Sequence, residues 1–336
     1  VDGEVEERID RLMSLDIGGR GVDPLYRAAR EIVGGPLAMG AATRLSSLRR
    51  GEVVLFTTGF LARAGVSPNI GENDGPAGTA VLARTLQKAF GVLPVVVTDD
   101  PLRPAIGAVL QTAGFSLVTL EEARRALAIR RRTAVVVVLP FSSEDEEALR
   151  AAEPLLDQLQ PKVVVSVERA GRNVAGRYHD MRGYAFDEGQ ARTDLLVERA
   201  QARGIPLVAV GDGGNEIGMG LVMDAVKEHV PYGRQCQCTC GRGIAARSRA
   251  DSLVTAAISN WGCYAVADCV AILMKNHDLL HTVHMEEQLI AAGIRVGLIN
   301  SVEGAVDGGV DGLPAEVQLA VVQLLHTMAA LAIDQR

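Results

Sequence analysis

Residues 205–220 read IPLVAVGDGGNEIGMG, a Val-rich apolar run that ends in a glycine turn carrying Asp212, Asn215 and Glu216. A short, nearly continuous apolar run fits a strand buried on both faces, and the glycines after it fit a tight strand-to-helix turn. The same pattern recurs upstream, at 53–57 (VVLFT), 92–98 (VLPVVVT), 134–139 (AVVVVL) and 162–167 (KVVVSV). Helical stretches separate these runs at 76–90, 103–113, 121–130, 144–159 and 190–203, the first opened by Pro76 at a position where proline is tolerated. Such alternation predicts an α/β fold, a mainly parallel, Rossmann-like sheet flanked by helices. Residues 217–229, 255–275, 283–292 and 315–333 make a helix-rich C-terminal part, with short strands expected near 235–239 and 294–299. Residues 1–50 read as an amphipathic helical lead broken by glycines, and 51–336 as the α/β domain. Two lobes, about 51–215 and 216–336, are one way to divide it.

Composition narrows the classes. The 336 residues are 48% apolar and 22% charged, with 34 Lys+Arg against 41 Asp+Glu, a net charge of −7. An acid excess without a basic stripe argues against a nucleic-acid partner. Apolar runs such as 134–139 fall far short of the ~20 residues of a spanning helix, so no membrane partner is expected. Five cysteines and an acidic N-terminus without a basic start or apolar core suit a reducing cytoplasm. Homo-oligomerisation is left open.

The residues immediately after each strand suggest the chemistry. Glu72, Asn73 and Asp74 come after the first run, Asp99 and Asp100 after the second, Glu168 after the fourth, and Asp212, Asn215 and Glu216 after the fifth. In an open parallel sheet the carboxyl ends of the strands share one rim, where ligands bind. Carboxylates gathered there repel unless a cation lies among them, and oxygen ligands suit Mg²⁺ or Mn²⁺. Asp-Gly and Asn-Asp-Gly are also ordinary turn sequences, and Asp99 fits simple strand termination. Neither GxGxxG with its downstream acid nor GxxxxGK[ST] is met, and there is no nicotinamide or flavin signature. Arg169, Arg172, Arg177, Tyr178, His179 and Arg182 crowd the loop after Glu168, which suits a small anionic substrate. His179 is a candidate general acid/base, Asn173 and Asn260 candidate polar ligands. His277, His281 and His284 have helical spacing but no Cys or acidic partner to complete a zinc set. Cys236, Cys238 and Cys240, on a strand, would share one face; they offer three thiolates without a fourth ligand nearby, or simply small buried apolar groups.

Taken together, TGFLARAGVSPNIGENDGPAGTAVLARTL (58–86), VSVERAGRNVAGRYHDMRG (165–183), VAVGDGGNEIGMGLVMDAVKEHV (208–230), ADSLV (250–254), SNWGCYAVAD (259–268) and DGGVDGLPAE (307–316) closely resemble the C-terminal domain of the D-glutamate cyclase family. The resemblance implies conversion of D-glutamate to 5-oxo-D-proline and water, a hydro-lyase reaction, with a divalent cation, Mn²⁺ foremost. It carries over Glu72, Asp74, Gly75, Glu168, Arg169, Arg172, Asp212, Asn215, Glu216, Asp251, Asn260 and Asp307. Physical inference assigns the metal to Glu72, Asp74, Asp212 and Glu216, the base role to Glu168, and the substrate α-carboxylate to Arg169 or Arg172, with Asp212 and His179 as further catalytic candidates and Asn173, Asn215 and Asn260 as substrate contacts. A metal-dependent phosphoesterase acting on a small anionic substrate, and a non-catalytic amino-acid or nucleotide sensor, are the alternatives.

Overall fold

The computed structural model describes residues 4–129 and 133–335. Three helices come first, α1 (Glu4–Met13), α2 (Val22–Val33) and α3 (Leu37–Leu45). The chain then alternates through β1 (Val53–Thr57), α4 (Pro76–Phe90), β2 (Leu93–Asp99), α5 (Arg103–Thr112), β3 (Ser116–Leu117), α6 (Leu120–Ala128), β4 (Val135–Phe141), α7 (Asp145–Leu159), β5 (Pro161–Val167), α8 (Thr193–Ala202) and β6 (Leu207–Gly211). It continues with α9 (Met223–His229), β7 (Ser252–Thr255), α10 (Ser259–Met274), α11 (Val283–Arg295) and α12 (Ala315–Gln335). The ends of the expected lead (1–3) and of the helix expected at 121–130 (Arg130) lie outside the described residues.

All seven strands pair in parallel in the order β3-β4-β2-β1-β5-β6-β7. The five Val-rich runs are all strands. The expectation missed β3 and β7, which are only two and four residues long and too short to show a pattern. The strands expected near 235–239 and 294–299 are absent: the first is a string of turns and the second the end of α11 with the loop after it. Short runs rich in Cys, Gly, Ile and Val imitate a strand when no neighbouring strand is available to pair with them.

The chain reverses its direction of sheet growth at β1, which has β2 on one side and β5 on the other. This switch point opens a crevice beyond the carboxyl ends of β1 and β5. Across the crevice lies α10, with Asp268 its only charged residue and almost every residue buried, as befits a helix surrounded by protein. It packs on α4, α3 and α12. Helices α1–α3 are not a separate layer, since α1 lies on α12 and α3 on β7. Among the described residues one helix, Ala315–Gln335, is long and apolar enough to cross a membrane by length and composition. Uncharged polar residues (Gln318, Gln323, His326, Thr327) break its apolar runs, which is why run length alone overlooked it; here it packs on α1, α10 and α11.

Two helix starts are tied to each other. The Asp74 carboxylate accepts hydrogen bonds from the Ser259 and Asn260 amides (both 2.8 Å) at the start of α10. In return, Asn260 Oδ1 accepts from the amides of Gly75 (3.0 Å) and Gly78 (2.6 Å) at the start of α4. Each residue serves as an N-terminal cap for the other's helix, satisfying donors that the helices themselves leave without partners. Gly78 permits the approach: a Cβ there would lie 2.9 Å from the Asn260 Cα. Asn260→Ala strands the buried Gly78 amide, leaves the Gly75 amide to Asp74 Oδ1 alone, and is expected to lower unfolding stability by about 1–3 kcal/mol in denaturant titration. A change below about 0.5 kcal/mol would show that the pair holds nothing.

Candidate active site

The crevice is a cavity of about 360 Å³, in the size range of small-molecule sites. Its inner wall is acidic. Glu72, Glu168, Asp212 and Asp311 line it, Asp74 and Glu216 lie against these, and all six are buried. Carboxylate oxygens of Asp74, Asp212 and Asp311 lie within 4.8 Å of one another, as do those of Glu168, Asp212 and Glu216.

Each acid arrives by a distinct local device. Glu72 and Asp74 come from the loop between β1 and α4. Gly75 (φ 98°) turns that loop where a Cβ would meet the Thr58 hydroxyl at 2.8 Å and the Glu168 Cβ at 3.0 Å. Glu168 follows β5 in left-handed backbone (φ 41°), a strained setting for a non-glycine residue, and accepts a 2.6 Å hydrogen bond from the Ser259 hydroxyl. Asp212 follows β6. Asp311 sits in a turn (φ 52°), accepting from Ser301 Oγ at 3.1 Å. Glu216 folds back over its own turn, taking the amides of Asp212 (3.1 Å), Gly213 (2.7 Å) and Gly214 (2.7 Å). Much of its acceptor capacity is therefore spent on shaping the turn. At Gly213 a Cβ would meet the Met181 sulfur at 2.6 Å, so the wall closes directly on backbone.

Among the described residues, one cation enters this group. Arg20 donates to Asp212 Oδ2 (2.9 Å), to Asp311 and to the Ala257 carbonyl (3.3 Å). Asp16 holds the turn that delivers it, accepting from the Arg20 and Gly21 amides. One guanidinium does not balance six acids. Burial, reinforced by Asp311, pushes Asp74 up to about 8. Glu72, Glu168 and Asp212 are raised well above the usual carboxylate range, first by burial and then by their acidic neighbours, although Arg20 pulls Asp212 back. Glu72 Oε1 is buried without a hydrogen-bond partner among the described residues. An orphaned carboxylate oxygen among hard oxygen donors fits a divalent cation of the Mg²⁺ or Mn²⁺ class.

The structure brings together Glu72, Asp74, Glu168, Asp212, Asn215 and Glu216, with Asn260 behind them as a cap. Other candidates lie elsewhere. Asp99, after β2, is sealed in a buried ion pair with Arg169. The remaining Arg169 donors go to Thr193 Oγ1 (2.9 Å) and the carbonyls of Gly59 and Ala191, leaving none for a substrate. Arg172 is bonded to Asp194 (2.8 Å) and Asp145 (2.7 Å). Both arginines tie the long loop to α8 rather than facing the acids, because a guanidinium buried beside a loop needs fixed carboxylates of its own. Asn173 braces loops, taking the Ala175 and Arg177 amides and donating to the Gly243 carbonyl. The His179 imidazole faces cysteine sulfurs and not the acids. Asp251 accepts the Leu207 amide at the opposite end of the sheet, and Asp307 closes its own turn on Gly309. His277, His281 and His284 contact Asp334, Glu286 and Gln288 respectively, so they form no common group.

Sequence reasoning missed Arg20, Asp311 and the Ser259 hydroxyl. Arg20 stands between glycines in GGRG, a signal that its backbone is held in an unusual turn. Asp311 lies in the same DGGVDG stretch as Asp307, and only the fold distinguishes the two. Arginines do reach the cavity: Arg63, held by the Ala62 and Ser301 carbonyls, and Arg182, which is exposed at its mouth.

Residues 9–326 match the family model for the D-glutamate cyclase-like C-terminal domain. The chain belongs to that family. It is 27% identical over 334 residues to human D-glutamate cyclase, mitochondrial, an alignment covering 91% of this chain and 48% of the human protein. The chain thus spans about half the length of that relative. The family match begins within α1, so the helical lead that supplies Arg20 falls almost wholly inside it.

The raised acids set a pH dependence. In the unfolded chain these carboxyls titrate near ~4, so between there and their folded values the native state binds more protons. The stability they contribute is complete below ~pH 4 and is lost as pH rises through about 8 for Asp74 and through the raised values of the others. Without divalent ions, Tm should fall between pH 6 and 9, and the fall should be shallower in Asp212→Asn. A flat or rising profile would contradict the charge balance described.

Proposed function

We propose that this chain cyclises D-glutamate to 5-oxo-D-proline and water with the help of a divalent cation. The observation that carries the reading is the buried acid group at the β1/β5 switch point, with an orphaned Glu72 oxygen, in a member of this family. Asp74, Asp212, Asp311 and Glu72 are the residues that would hold the cation. When bound there, it supplies Lewis acidity to the substrate γ-carboxylate, otherwise a poor electrophile.

The chain's own residues account for the remaining requirements. The cavity folds a flexible substrate so that its amine and γ-carbon approach, replacing a costly search by fixed geometry. Arg182, at the mouth, with no guanidinium partner among the described residues, is placed to hold the α-carboxylate; Arg63 is the second cation on that side. The ring forms one C–N bond and breaks one C–O bond, and two protons pass from the ammonium to the departing oxygen. Burial among acids raises the proton affinity of Glu168 above that of an ordinary carboxylate, which suits it to carry those protons. The Ser259 hydroxyl fixes its orientation. Met181, Phe60 and Val302 restrict water around the reacting groups.

Incubation of the pure protein with D- or L-glutamate, with and without Mn²⁺, tests the reading directly by the appearance of 5-oxoproline. The expected result is Mn²⁺-dependent turnover of the D isomer, reduced ~10²–10⁴-fold in Glu168→Gln. No product from D-glutamate with any divalent ion would overturn the activity; full turnover in Glu168→Gln would overturn the role of that residue.

A further inference from the structure

Outside the acidic cavity a second group of metal-binding side chains converges. Cys236, Cys238 and Cys240 lie on the turns between α9 and β7, and His179 on the long loop after β5. Their ligand atoms all fall within 4.8 Å of one another. Cys236 Sγ is 3.4 Å from Cys238 Sγ and 3.3 Å from Cys240 Sγ, while His179 Nε2 is 3.2 Å from Cys238 Sγ and 3.7 Å from Cys240 Sγ. All three cysteines are free thiols. Three sulfurs at alternate positions of an irregular segment thus face one point, and a residue 59 positions upstream of Cys238 supplies the fourth corner.

We propose that His179, Cys236, Cys238 and Cys240 form a zinc site that fastens one wall of the cavity. With Zn–S bonds of ~2.3 Å and a Zn–N bond of ~2.0–2.1 Å, a tetrahedral site has ligand atoms about 3.6–3.8 Å apart. The four separations given above reach that figure with movements of a few tenths of an ångström. Three thiols and one imidazole form a closed, soft donor set that prefers zinc to the hard ions suited to the acidic cavity. Binding releases the three thiol protons to solvent, and the imidazole coordinates through Nε2 with its proton on Nδ1. Nδ1 has no hydrogen-bond partner among the described residues, so the polar contacts of the ring are to sulfur. Arg177 lies within electrostatic reach of Cys238 and Cys240 and offsets the negative charge of a three-thiolate site.

The site would act on the cavity by position. Asp180, Met181 and Arg182 follow His179 directly and line the cavity, as does Pro231 ahead of the cysteines. The two segments are otherwise joined by few hydrogen bonds, among them Gln237 N to the Gly183 carbonyl (2.9 Å) and Gln237 Nε2 to the Arg182 carbonyl (2.7 Å). A zinc ion shared between them would tie the cavity wall to the turn segment, making His179 a positioning residue.

Elemental analysis of the reduced, full-length protein should find about one zinc per chain, and Co²⁺ exchange should give the intense near-ultraviolet thiolate-to-cobalt band with the red bands of a tetrahedral ion. Carboxylates give no thiolate band, so Asp212→Asn should retain it, whereas Cys238→Ser and His179→Gln should alter or lose it. The cobalt spectrum of the wild-type protein decides the matter even if those variants fail to fold. A reduced protein that neither retains zinc nor develops the band, or one whose native state holds a disulfide among these cysteines, would overturn the proposal.

Discussion

The start of α4 and the start of α10 are capped by each other's side chains, Asp74 on one and Asn260 on the other. The rest of the cavity depends on this exchange. It draws the loop after β1 across the switch point, brings Glu72 with it, and places Ser259 where its hydroxyl reaches Glu168. A carboxylate at a helix N-terminus is also favoured by the helix dipole. Asp74 is thereby held in place although burial and Asp311 oppose its charge.

The same frame leaves an electrostatic excess. Six buried acids meet at and behind the cavity wall, Arg20 is the one cation paired with them among the described residues, and Glu72, Asp74, Glu168 and Asp212 hold protons more tightly than they would in water. Such a site is unfavourable by itself and favourable toward positive charge, whether a divalent ion or the ammonium of an amino acid. On the proposed reading, Arg63 and Arg182, which also line the cavity, would take the anionic group of the substrate. Arg169 and Arg172 serve the scaffold: Arg169 is fixed to Asp99 at the end of β2 and to Thr193 of α8, and Arg172 to Asp194 of α8 and Asp145 of α7.

The central sheet was legible because buried parallel strands need continuous β-branched runs, and all five such runs are strands. The rim acids Glu72, Asp74, Glu168, Asp212 and Glu216 were legible for a related reason: each comes, directly or in the next loop, after a strand whose carboxyl end had to face the crevice. What sequence order could not give was pairing across distance. Nothing local distinguishes Arg169, whose partner Asp99 is 70 residues away, from Arg182, which has no such partner among the described residues. Nor does anything local join Arg20 to Asp311, 291 residues apart. The C-x-C-x-C run looked incomplete for the same reason, since its fourth neighbour, His179, lies on another loop.

The central claim is that the acids of the switch-point cavity are kept together at the expense of bound protons that a cation displaces. Calorimetric titration of Mn²⁺ near pH 7, repeated in buffers of different ionisation enthalpy, counts those protons. The account predicts one-site binding with release of about one proton or more per ion, and loss of that release in Glu72→Gln combined with Asp212→Asn. Binding without proton release, or no binding at millimolar Mn²⁺, would contradict it.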